Sequence, residues 1–83
     1  MVRVRLFAAL RELAEAGELE ADGRTVGEVV DAVSSGRGER FAQIAAVSSF
    51  VVNGERAGRS SPVAEGDEVA ILPPVSGGAR PVQ

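Results

Sequence analysis

Eighty-three residues can enclose one hydrophobic core, and with no Cys and no His neither a disulfide nor a histidine-based metal site can staple it. Nine basic residues, all Arg, face twelve acids for a formal charge of −3, and the only aromatic residues are three Phe; such a chain lacks the basic stripe and stacking platforms that nucleic acid requires. His, Cys, Lys, Tyr and Trp are all missing, which removes the usual general base, thiol nucleophile and Schiff-base amine and argues against an independent enzyme.

In chain order, "VRVRLF" alternates, with Val2, Val4 and Leu6 on one side and Arg3 and Arg5 on the other, and so predicts a strand half-buried on a core. "FAALRELAEAG" changes to helical spacing. Leu6, Ala9, Leu10 and Leu13 form one stripe, and Gly17 is placed to end the helix in a left-handed conformation. Arg11, Glu12 and Glu15 break the apolar run, so no signal-peptide core survives here. Elsewhere Arg or Glu interrupts every apolar stretch well before a membrane span, and the chain reads as cytoplasmic. "ELEA" predicts a short second strand with Leu19 inward.

"TVGEVVDAVSSG" is the clearest helix. Thr25 and Glu28 have capping-box spacing, Val26, Val29, Val30 and Val33 make one apolar face, and Gly36 is the stop. Four valines disfavour a helix intrinsically, so burial of that face against a sheet has to outweigh their propensity. "GERFAQIAAV" predicts a third helix carrying Phe41, Ile44 and Ala45. "SSFVVNGERAG" predicts two strands joined at Asn53-Gly54, since a type I′ turn needs positive φ at both central residues. A turn at Glu65-Gly66-Asp67 leads into the last strand, Glu68 to Leu72. Asp67 and Glu68 read as turn and strand start rather than a catalytic carboxylate pair. "GERAG" lacks the lysine and the strand–helix setting of a phosphate loop, and no metal site is expected. The whole is an α+β chain: a mixed sheet with helices packed on one face, its first and last strands parallel.

The chain then runs "PPVSGGARPVQ". Two prolines favour an extended arm projecting from the sheet, and two glycines give it a tip slim enough for a narrow tunnel. A Gly-Gly pair alone means little at this glycine content; its place, directly beyond the last strand and Pro-Pro, is informative.

"VRLFAALRELA", "VNGE" and "GDEVAILPPVSGG" resemble the small subunit of molybdopterin synthase, a β-grasp, ubiquitin-like sulfur carrier of the MoaD and ThiS kind, over nearly the whole chain to Gly78. The resemblance implies a sulfur-carrier domain at 1–78 with no catalytic residues and no bound cofactor of its own. A ubiquitin-activating-like enzyme would adenylate the Gly78 carboxylate with ATP, and a sulfur donor would convert it to a thiocarboxylate. The arm Pro73, Pro74, Val75, Ser76, Gly77, Gly78 would then enter the active site of the large subunit and deliver sulfur to a cyclic pyranopterin. Phe7 and Leu72 would form an apolar patch that docks the partner, although family members often carry Phe where Leu72 stands, and Phe7 could equally close one end of the core. Arg11 would pair with a partner acid, or simply belong to a solvated helix face.

Residues 79–83 depart from the family, in which the second glycine is the chain end. A precursor trimmed after Gly78 by a metalloprotease, a diverged paralogue that binds partners without covalent chemistry, and an extension foreign to the natural chain all account for them. Thiamine or cysteine biosynthesis could be the pathway served instead.

Overall fold

The computed structural model describes residues 1–74. Its elements are β1 (Val2–Leu6), α1 (Ala8–Ala14), β2 (Glu18–Ala21), α2 (Val26–Ser34), α3 (Glu39–Ala46), β3 (Ser49–Val52), β4 (Glu55–Ala57) and β5 (Glu68–Leu72). The strands form one mixed sheet in the order β2-β1-β5-β3-β4. β1 and β5 are parallel, with Val4 opposite Val69 and Leu6 opposite Ile71; β2 joins β1, and β3 joins both β4 and β5, antiparallel. This is the expected β-grasp arrangement, in which the segment last in sequence lies in the middle of the sheet. Among the described residues no helix is long and apolar enough to cross a membrane.

Alternation decides which side of each strand is buried. Val2, Val4 and Leu6 of β1, Phe50 of β3, and Val69 and Ile71 of β5 point to one face, where they meet Leu10 of α1, the four valines of α2, and Phe41 and Ala45 of α3 in a single cluster. Each fully buried aliphatic or aromatic side chain there contributes roughly 1.5–3 kcal/mol. Burial on the sheet is therefore what holds the valine-rich α2 helical. Its start is also well satisfied: the Thr25 hydroxyl accepts from the Glu28 N–H at 3.2 Å, and the Glu28 carboxylate accepts from the Arg24 N–H at 2.8 Å. The loop after β4 supplies two more acceptors, with the Val26 and Gly27 N–H groups donating to the carbonyls of Ser61 and Arg59 at 2.9 and 2.8 Å. A side chain at position 27 would place its Cβ 3.2 Å from the Arg59 carbonyl oxygen, so glycine permits this close approach.

Two expectations for the first helix are corrected. Gly17 does not provide the left-handed stop; Glu15 does, at φ 58°, with its N–H directed to the carbonyls of Arg11 and Glu12. Gly17 already belongs to the return path, its carbonyl accepting from the Leu6 N–H at 2.9 Å. Leu13 does not share the buried stripe and is 40% exposed. A helix of seven residues has room for one inward line, which Leu10 and Ala14 occupy.

Removing the hydroxyl in Thr25→Ala is expected to lower stability by about 1 kcal/mol, and Phe41→Ala, which empties the space under α3, by about 3–5 kcal/mol. Urea unfolding followed by circular dichroism measures both.

Candidate functional site

The site is built where β5 hands the chain to the arm, on the sheet face that the helices leave open. Register determines which side chains share that face. Arg5, Ala70, Val51 and Arg56 lie in one row across β1, β5, β3 and β4. One step toward the arm, Leu72 stands opposite Ser49.

One half of this face is a lattice of exposed charges. Arg3 Nε is 3.5 Å from a Glu18 carboxylate oxygen and Arg5 Nη1 is 3.4 Å from Glu68 Oε2. Pairs this exposed add little stability, but they neutralise one another. The Arg5 guanidinium also lies 5.7 Å from the centroid of the Phe7 ring, within cation–π range. Phe7 is half-buried where β1 turns into α1, and Ala8 after it takes the left-handed φ of 53° that makes the turn sharp.

Two hollows lie on this face, the first at the border of the charged half and the second toward the arm. One, of about 260 Å³, is lined by Arg5, Phe7, Val51, Asn53, Gly54, Glu68 and Ala70. The second, of about 350 Å³, is lined by Ser49, Val51, Arg56, Leu72, Pro73 and Pro74. Phe7 and Leu72 line neighbouring hollows that share Val51. Arg11 is elsewhere: it lines a hollow of about 640 Å³ on α1 with Ala8, Glu12, Glu15, Ala16 and Gly17. Pro73 and Pro74 begin the arm at the edge of the second hollow; Val75, Ser76, Gly77 and Gly78 lie outside the described residues, as does 79–83.

Sequence reasoning passed over Val51 and Arg56. The signal was present, because a two-residue turn at Asn53-Gly54 puts Val52 opposite Glu55 and hence Val51 opposite Arg56. Asn53 and Gly54 do adopt positive φ, 50° and 88°.

At the far end of β5 from the arm, a polar clasp fixes the strand. Asn53 donates from its amide to Asp67 Oδ1 at 3.1 Å and accepts from the Glu68 N–H at 3.0 Å, while Asp67 Oδ2 accepts from the Ala64 N–H at 2.8 Å. Asp67 and Glu68 therefore serve the turn and the strand start. The Ala64 N–H, and next the Asn53 amide, hold the Asp67 carboxyl below its ordinary value of 3.8. Among the described residues no group of three or more His, Cys, Asp or Glu is placed to hold a metal ion.

The chain matches the ThiS family over residues 4–78. No curated protein matches it. Among solved structures it is similar to SAMP1 from Haloferax volcanii, at 32% identity and a TM-score of 0.71 over 92% of this chain and 97% of that one. A chain of the Amycolatopsis orientalis BexX/CysO complex is 30% identical at a TM-score of 0.77, with 93% and 99% covered. A Pyrococcus furiosus protein described as molybdopterin converting factor, subunit 1, is 28% identical at a TM-score of 0.74, with 89% and 97% covered.

Since the folded carboxyl of Asp67 titrates below 3.8 and the unfolded one near it, the clasp stabilises the protein above that pH and loses its contribution as pH falls below it. The difference in urea midpoint between wild type and Asp67→Asn is expected to be present at neutral pH and to shrink as the pH is taken below 3.8.

Proposed function

Because this chain belongs to the ThiS family, we propose that it carries sulfur on its own C-terminal arm as the small subunit of a molybdopterin synthase. The fold is that of the ubiquitin-like sulfur carriers, and small carriers of this kind are generally non-catalytic. The observation that carries the reading is the limit of the family match: it runs to residue 78 and leaves 79–83 outside. That limit falls at the second glycine of "PPVSGG", directly past a strand anchored in the sheet centre.

In this reading residues 79–83 are removed, which frees the Gly78 carboxylate. A ubiquitin-activating-like enzyme binds ATP, the carboxylate attacks its α-phosphorus, and pyrophosphate leaves. A sulfur donor then displaces AMP to give the thiocarboxylate. The arm from Pro73 to Gly78 enters the large subunit, where sulfur passes to cyclic pyranopterin monophosphate. This chain supplies a rigid base, a stiff Pro-Pro spacer and a slim tip; the acids and bases belong to its partners. A second reading is the same chemistry serving another sulfur pathway, thiamine or cysteine biosynthesis; the likeness to the BexX/CysO complex is as strong as that to the converting factor, so structural similarity does not rank the two.

Intact-mass analysis of protein from the native host is expected to show a chain ending at Gly78. The chain cut there should support ATP–pyrophosphate exchange by the cognate adenylating enzyme, then gain the mass of an oxygen-to-sulfur replacement. Full-length protein should support neither. Replacing Gly77 and Gly78 by Val in the cut chain should reduce exchange by about 100-fold, the scale of a small misplacement of a reacting group. If only full-length protein is found and the cut chain is not adenylated, the reading fails.

A further inference from the structure

We propose that the Asn53-Gly54 turn is a self-modification site, at which Asn53 converts to aspartate or isoaspartate, and that the polar clasp on Asp67 and Glu68 holds this reaction back while the domain is folded. The inference is independent of the sulfur-carrier reading, because the chemistry needs only water. The backbone nitrogen of Gly54 attacks Cγ of Asn53 and gives up its proton to solvent, and the side-chain nitrogen leaves as ammonia. Water then opens the cyclic imide. Attack at the former side-chain carbonyl gives aspartate; attack at the main-chain carbonyl gives isoaspartate, in which the backbone runs through the side chain. Asn53 is the only asparagine of the chain, and glycine follows it. With no side chain on Gly54, nothing hinders the attacking nitrogen. Both residues are exposed, and the hollow of about 260 Å³ that they line with Glu68 admits the water.

The restraint comes from β5. The Asn53 side-chain nitrogen donates to Asp67 Oδ1 at 3.1 Å, the side-chain oxygen accepts from the Glu68 N–H at 3.0 Å, and the backbone N–H donates to the Glu68 carbonyl at 2.9 Å. Asp67 is itself tied to the Ala64 N–H at 2.8 Å. Turning Cγ onto the Gly54 nitrogen breaks both side-chain bonds, so cyclisation waits for the clasp to open. The product cannot close it again. A carboxylate then stands where an amide donated to Asp67, which removes a donor and sets two like charges together. Isoaspartate also lengthens the backbone of a two-residue turn that pairs Val52 with Glu55. Either product loosens the start of the strand that carries the arm.

The test incubates the full chain in mildly alkaline buffer and follows the mass gained when NH2 becomes OH, with fragment spectra placing the gain at residue 53. Native protein is expected to convert about 10-fold more slowly than the same chain unfolded in guanidinium, the scale of one hydrogen bond to an ionised group. Asp67→Ala, checked for folding by circular dichroism, should convert within about threefold of the unfolded rate. Thr25→Ala weakens the domain without touching the turn and should keep the wild-type rate, which separates local opening from global unfolding. Asn53→Asp, one product made directly, should have a lower urea midpoint than wild type at neutral pH, a measurement that stands even where Asp67→Ala does not fold. Native conversion as fast as in guanidinium overturns the inference, as do equal rates for Asp67→Ala and wild type. So does a Thr25→Ala rate raised as much as that of Asp67→Ala, or an Asn53→Asp midpoint at or above that of wild type.

Discussion

Four residue pairs between β1 and β5, from Arg3 opposite Glu68 to Leu6 opposite Ile71, join the first and last strands in the middle of the sheet. Everything else is arranged around that parallel seam. It brings Val4 and Val69 together under the helices, both with no exposed surface, and gives β3 a strand to pair with. It also obliges the chain to leave the sheet from its centre, at Leu72, rather than from a loosely held edge. A long-range pairing of this kind carries an entropic cost of loop closure. In return, Ile71, the residue before the exit point, is held from both sides, by Leu6 and by Phe50.

The open face follows from the same seam. On the β2–β1 side, alternation fills it with opposite charges that satisfy one another; on the β3–β4 side it leaves Ala70, Val51 and Leu72 beside Arg56. The helical layer, in contrast, is committed to the core and presents solvated side chains outward.

Much of this was legible in the residues because local and global preferences agree. The bounds of β5, the Thr25–Glu28 cap, the valine face of α2 and the Asn53-Gly54 turn each have a short-range cause that the tertiary structure reinforces. The end of α1 was not legible. Glycine is the usual left-handed stop, but the need for the Gly17 carbonyl to meet the Leu6 N–H moves the reversal back to Glu15. That is a contact between segments, invisible to a local rule. Arg56 was overlooked for a different reason. Its place had to be worked out by counting from the turn, and a lone arginine on a three-residue strand attracts no notice until its neighbours are known.

The parallel seam has a mechanical consequence. Because β1 and β5 run the same way, a tug on the arm away from Leu72, resisted at the start of β1, strains their shared hydrogen bonds in shear, all together, instead of peeling them one by one. Forced unfolding depends on the barrier to that concerted rupture. A pull applied through the tail therefore meets the most resistant arrangement of hydrogen bonds that the sheet can offer.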